Sequence, residues 1–338
     1  MLNKPLNPQS CQADVMGSTV FNLSVHDDWM NNKLPDKSVQ LIIADPPYFE
    51  VKGSFDFVWK SFEDYLIDVE KWAIECKRLL ADNGTLLWYG HAKKIAYAQI
   101  IFDRHFNLIN NLVWNKGSFM GLEESEGLRS FAPCTERILM YGSEVHDVTG
   151  LEFIKDEYWG EMSPFSKIIL DHIDNKGFTQ KKISYLQLSK NGKPTGWVSN
   201  KIKFGQLPTK AQWSLMCELF KINDKYDELR KEYDELRRPF VNYFKLQEVI
   251  NYGNEATKTG SKYDHDTCKP ETLTRALILT CSRPNDLVFI PFAGSGTEVA
   301  MAIKEGRNAI GYDIEEKYVK MGNNRIDIIK AQPSLFAG

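Results

Sequence analysis

The chain has no run of apolar residues long enough to span a bilayer, and residues 1–18 are polar, without the apolar centre of a secretory signal. A cytoplasmic protein is the expectation. Its six cysteines, Cys11, Cys76, Cys134, Cys217, Cys268 and Cys281, include no Cys-x-x-Cys pair, so neither a zinc site nor a disulfide framework is indicated and no metal is expected. An excess of one charge is missing too. The formal net charge of −3 argues against a protein that coats nucleic acid over its whole surface, although a global sum hides local fields. Two nucleotide signatures are also absent. No Gly-x-x-x-x-Gly-Lys phosphate loop occurs, and the glycine turn at residues 294–296 has Val299 where the nicotinamide fingerprint needs a third glycine. A diphosphate ligand is therefore poorly supported. With 338 residues, 43% of them hydrophobic, the chain can hold one large core plus an insert.

What is present begins with Asp45-Pro46-Pro47-Tyr48, directly after the apolar run Val39-Gln40-Leu41-Ile42-Ile43-Ala44. Such a run reads as a strand buried on both faces of a parallel sheet, and open α/β folds place ligands at the carboxyl ends of such strands. The Asp carboxylate can accept a hydrogen bond from an exocyclic amino group. The prolines stiffen the turn and leave carbonyls without competing N–H donors, and the Tyr ring offers a stacking surface. That combination suits a flipped-out nucleobase. A simple strand-to-loop turn is the competing reading, since Asp-Pro and Pro-Pro are common turn punctuation.

Downstream, Asp286-Leu287-Val288-Phe289-Ile290-Pro291-Phe292-Ala293-Gly294-Ser295-Gly296-Thr297 reads as strand, glycine turn and helix start. Gly294 and Gly296 allow a cofactor close to the backbone. A second short strand follows, Asn308-Ala309-Ile310-Gly311-Tyr312, and ends in Asp313, where such folds place an acid on ribose hydroxyls. A nucleoside cofactor without phosphates fits best. S-adenosylmethionine, with a methyl group on a sulfonium, is the candidate.

Together these two motifs resemble the amino methyltransferases of DNA, which make N6-methyladenine or N4-methylcytosine. The resemblance covers about two thirds of the chain and implies further site residues. Asn22-Leu23-Ser24-Val25-His26-Asp27 with Leu34-Pro35-Asp36-Lys37-Ser38-Val39 resembles the family's lead-in, which would put Asp27 at the cofactor adenine. His265-Asp266-Thr267-Cys268-Lys269-Pro270 resembles its His-x-Thr-x-Lys-Pro segment, placing Thr267, Lys269 and Pro270 at the methionine end. Thr135-Glu136-Arg137-Ile138-Leu139 resembles another recurring block. The order is clamp, long middle segment, then cofactor motif, as in the permuted β-group. Protein-glutamine methyltransferases place the cofactor motif first. One departure is Ile290, where the family often has Asp.

The implied architecture is α/β, a doubly wound, mostly parallel Rossmann-like sheet with an inserted target-recognition region. Its expected parts are residues 1–145 (catalytic half), 146–258 (recognition), 259–332 (cofactor half) and 333–338 (tail). The implied cofactor set is Asp27, Thr267, Lys269, Pro270, Phe292, Gly294, Ser295, Gly296, Thr297 and Asp313, with Asp45, Pro46, Pro47 and Tyr48 catalytic. Adenine is favoured over cytosine because the family's clamp usually begins with Asp in adenine enzymes and Ser in cytosine enzymes. A non-catalytic DNA-binding module on the same fold is the rival reading. Double-stranded DNA is the implied partner, and the resemblance leaves room for a homodimer and a companion restriction endonuclease.

Residues 167–210 support the recognition role, carrying nine lysines against Asp171 and Asp174, interleaved with Phe178, Tyr185, Trp197 and Phe204. Most of these lysines singly read as a solvated face. Pro133-Cys134 is similar to the nucleophile of C5-cytosine methyltransferases, but Thr135 follows it instead of glutamine, and an exocyclic nitrogen needs no thiolate. Residues 61–80 have helical spacing, with Ser61 and Asp64 as a cap and Asn83-Gly84 as the stop. One long helix is expected over residues 212–238, with Tyr226, Leu229, Tyr233 and Leu236 as a heptad-like seam.

Overall fold

The structure, a computed structural model, describes residues 20–22, 29–51, 58–117, 129, 131, 133–143, 163–203, 206–223, 225–252 and 269–331. Its strands are β1 (Val20–Asn22), β2 (Val39–Ala44), β3 (Leu80–His91), β4 (Asn107–Asn115), β5 (Thr135–Gly142), β6 (Val249–Asn251), β7 (Leu287–Ile290) and β8 (Asn308–Asp313). They form one sheet in the order β1-β8-β7-β2-β3-β5-β4-β6. β5 runs antiparallel to both its neighbours, and the remaining neighbouring pairs are parallel. The mostly parallel α/β sheet follows from the apolar runs, because a strand covered on both faces has no reason to alternate.

β2 shows how the layers form. Leu41 and Ile43 point to one face and pack with Leu273, Leu277, Val299, Val319 and Ile326 from the helices Glu271–Cys281, Thr297–Lys304 and Glu316–Ala331. Val39, Ile42 and Ala44 point to the other, against Tyr65, Val69, Trp72 and Cys76 of the helix Phe62–Leu79 and Ile101 of the helix Ile95–Phe102. β2 therefore crosses to β3 through one layer, and β7 crosses to β8 through the other. The chain departs in opposite directions from two adjacent parallel strands, which opens a crevice at their carboxyl ends.

Ser61 caps the helix Phe62–Leu79 as expected, its hydroxyl accepting the Asp64 N–H at 3.1 Å. Asn83-Gly84 does not stop this helix. The chain enters β3 directly at Leu80, and Asn83-Gly84 lies at a bulge where the register with β2 jumps from Val39↔Leu80 to Leu41↔Thr85.

Thr149–Arg238 forms a separate compact unit. Phe165, Ile169, Trp213, Met216, Phe220, Leu229 and Tyr233 make its core. This unit is shorter than the expected 146–258 segment, because the chain from Pro239 returns to the first unit, where β6 pairs with β4. The expected long helix is two, Lys210–Phe220 and Tyr226–Leu236. Lys221 takes a left-handed conformation (φ 56°) and the Ile222 N–H turns back to the Cys217 carbonyl at 3.1 Å, which ends the first helix. Leu229 and Tyr233 of the seam are buried in this unit's own core, so the stripe is used for internal packing.

Candidate active site

Three neighbouring strands end together at the crevice. β2 delivers Asp45-Pro46-Pro47-Tyr48, β7 delivers the turn at residues 291–297, and β8 ends in Asp313.

The clamp is internally satisfied. The Tyr48 hydroxyl donates to Asp45 Oδ1, and Lys269 Nζ lies 2.8 Å from Oδ2. Burial pushes the Asp45 carboxyl up, and the Lys269 ammonium works against that push. Burial likewise holds the Tyr48 phenol well above its ordinary range, so its proton stays in place to be donated. Immediately after the clamp, Phe49 and Glu50 both have left-handed backbones, with φ of 57° and 50°. Each such residue costs on the order of 1 kcal/mol or more. Lys94 fixes this exit by donating to the Phe49 carbonyl and by standing 4.7 Å over the Phe49 ring.

Lys269 also approaches Glu136 Oε2 at 3.2 Å, and Glu136 Oε1 lies 2.8 Å from Lys116 Nζ. Asp45, Lys269, Glu136 and Lys116 thus form an alternating charge chain across the ends of β2, β5 and β4. Burial opposes the ionisation of Glu136, but the two ammonium groups outweigh it and hold the carboxyl below its ordinary value. The Lys269 ammonium, expected at the methionine end of a cofactor, is placed on the clamp and 4.9 Å from the Tyr89 ring. Pro270 starts the helix Glu271–Cys281, its carbonyl accepting the Thr274 N–H at 3.0 Å.

The glycine turn depends on two left-handed glycines, Gly294 (φ 49°) and Gly296 (φ 72°). A Cβ on Gly296 would lie 2.7 Å from Gly322 Cα, so the turn is seated directly on the last helix. Arg325 of that helix donates to the Ser295 carbonyl at 3.2 Å and to Thr297 Oγ1 at 2.9 Å, and pairs with Glu271 at 2.9 Å. The Ser295 and Thr297 hydroxyls, 3.0 Å apart, are buried on this inner side. Phe292 sets its ring edge-on to Trp29 and Trp72, at 5.7 and 5.1 Å. The Asp313 carboxylate accepts N–H bonds from Gly294 (2.7 Å) and Glu315 (2.8 Å), yet burial pushes it up to about 6. Asp27 and Thr267 lie outside the described residues.

Glu298, in the first turn after the glycines, belongs to the site but was not among the expected residues. It is buried, its Oε1 has no hydrogen-bond partner among the described residues, and burial followed by the Asp45 charge pushes it up to about 7. In sequence it reads only as an ordinary acidic residue at a helix start. Arg325, at a distance in the chain, carried no signal either. Asp313 and Glu298 together tell what the turn can hold: two carboxyl groups suit hydroxyls and a positive charge and would repel a diphosphate.

A doubly wound sheet with this turn beside an Asp-Pro-Pro-Tyr clamp defines a Rossmann-like transferase acting on amino groups. The chain belongs to the DNA methylase family, whose profile matches residues 39–324. It is thus of the kind that methylates N6 of adenine or N4 of cytosine, with its motifs in the β-group order. It is 26% identical over 301 residues to the DNA adenine methyltransferase YhdJ of Escherichia coli (strain K12), covering 88% of this chain and 79% of that one. The type II methyltransferase M1.MboII of Moraxella bovis is also 26% identical over 301 residues, with 88% and 94% covered. A DNA modification methylase from Thermus thermophilus shares the fold, with a TM-score of 0.50 at 17% identity over 93% of this chain and 97% of that one.

Proposed function

We propose that this chain transfers a methyl group from S-adenosylmethionine to N6 of an adenine that is turned out of double-stranded DNA into the clamp. The observation that carries this reading is the buried Asp45 carboxylate at the end of β2, next to the turn that follows β7 and charge-balanced by Lys269. The Asp-first clamp and the adenine enzyme YhdJ among the relatives support adenine over cytosine.

When bound, S-adenosylmethionine supplies a methyl group made electrophilic by its positive sulfur. The chain supplies everything else. Asp45 and the Pro46 carbonyl accept the two N–H bonds of the target amino group, which draws the nitrogen lone pair out of conjugation with the ring, and Tyr48 provides the stacking face. Because both Asp45 oxygens already have donors, the incoming amino group takes the place of one of them. Lys269 is the one able to yield, since Glu136 lies 3.2 Å away and keeps the ammonium compensated. Phe292, Gly294, Ser295, Gly296 and Thr297 shape the cofactor seat, Asp313 takes the ribose hydroxyls, and Asp27 and Thr267 complete it at the adenine and methionine ends. Positioning and electrostatics in a buried setting provide the rate.

The Thr149–Arg238 unit is read as the target-recognition part. Its lysines Lys181, Lys182, Lys190 and Lys193 are exposed, whereas Trp197 is buried in the unit's core and Tyr185 is the exposed aromatic. Digestion of DNA incubated with the protein and S-adenosylmethionine should release N6-methyladenine. Release of N4-methylcytosine alone would overturn the adenine assignment, and no modified base at all would favour the non-catalytic binder.

A further inference from the structure

We propose that Glu298 is the counter-ion for a positive charge on the methyl donor, a ligand contact that rests on reading the crevice as the S-adenosylmethionine site. Glu298 sits in the first turn of the helix Thr297–Lys304, directly after the glycine turn, and only 6% of its surface is exposed. Buried carboxyl groups are normally paired or hydrogen-bonded, yet its Oε1 has no partner among the described residues. The charged groups that face it are Asp45, Lys269 and Arg325, with the Tyr89 phenol nearby.

Each of those cations is engaged elsewhere. Lys269 lies on Asp45 and Glu136, and Lys116 completes the pairing of Glu136. Arg325 pairs with Glu271 and ties down Ser295 and Thr297. Two acids and two ammonium groups balance across the clamp, and a third acid balances the guanidinium. Glu298 is the acid left over. An ionised Glu298 therefore calls for a cation from the ligand, and the methyl donor carries two candidates, its sulfonium and its α-ammonium.

The proton balance follows. Near pH 7 Glu298 is about half protonated, a bound cation favours its carboxylate, and the proton released goes to solvent. Affinity for S-adenosylmethionine should then fall about tenfold from pH 8 to pH 6, the loss set by a group that must ionise at about 7. Asp45 and Asp313, the other raised carboxyls of the crevice, remain in a Glu298→Gln variant, which removes the charge and keeps the shape.

Isothermal titration calorimetry at pH 6 and pH 8 on the wild-type chain and E298Q tests this with three ligands. These are S-adenosylmethionine, S-adenosylhomocysteine (ammonium only) and a deaminated S-adenosylmethionine (sulfonium only). The expected result is a loss of at least about tenfold in S-adenosylmethionine affinity for E298Q at pH 8, with most of the pH dependence gone. If S-adenosylhomocysteine is spared, the sulfonium is the partner; if the deaminated ligand is spared, the ammonium is. Equal losses for all three ligands, or none with the pH dependence intact, would overturn the inference. A wild-type chain that binds none of them sinks the reading of the crevice itself, and the inference with it.

Discussion

Asp45 can act on an amino group only as an acceptor, so its ionisation governs the chemistry. Replacing it, Asp45→Ala, should lower methylation by about 10²–10³-fold or more while S-adenosylmethionine binding, read by calorimetry, is largely kept. Lys269 lowers the Asp45 carboxyl against the push of burial. In Lys269→Met that carboxyl rises further, so the acid limb of the pH–rate profile should move to higher pH; an unmoved limb would mean that Lys269 does not tune Asp45. Glu298 works in the opposite sense on stability. Its carboxyl stands at about 7 in the fold against an ordinary 4.5. A raised carboxyl gives its full share of stability below pH 4.5 and loses it as pH climbs through 7. Glu298→Gln should therefore unfold at higher urea than the wild type at pH 8, by about 3 kcal/mol as an order of magnitude, and match it at pH 4. Equal shifts at both pH values would separate the effect from titration.

The glycine turn and the last helix act as one element. Gly296 has a left-handed backbone and faces Gly322 Cα, so a methyl group there meets backbone rather than a yielding side chain. Gly296→Ala should cost about 1–3 kcal/mol of stability by urea unfolding and weaken cofactor binding at the same time. Stability lost with affinity unchanged would detach the turn from the cofactor seat. Arg325 reinforces the same contact from the helix side by holding Ser295 and Thr297. The bulge in β3 is another feature set by contact, because Leu80 has to pair with Val39 while Thr85 pairs with Leu41.

At the scale of the whole molecule, methyl transfer and site recognition fall to different compact units, and DNA affinity should follow the lysines of Thr149–Arg238. Lys190→Glu with Lys193→Glu should weaken DNA binding and flatten the slope of log affinity against log salt by about one for each phosphate no longer neutralised. Fluorescence anisotropy at several salt concentrations measures this, and an unchanged slope would remove those lysines from the interface. The elements that local chemistry dictates are already present in the sequence: the apolar runs of β2 and β7, the rigid clamp after one and the glycine turn after the other, and their order along the chain. Those features are legible because each is built from residues a few positions apart, whose backbone preferences and periodicity act locally. The break at Lys221 was not legible, since it turns on a single left-handed residue at the end of the first helix. Nor was the site's charge arrangement. Lys269 and Glu136 are 133 positions apart and meet because β2, β3 and β5 are neighbours in the sheet. Only the assembled fold puts Lys269 on Asp45, lets Arg325 hold the turn, and buries Glu298 without a partner for its Oε1 among the described residues, because burial and pairing depend on which strands become neighbours.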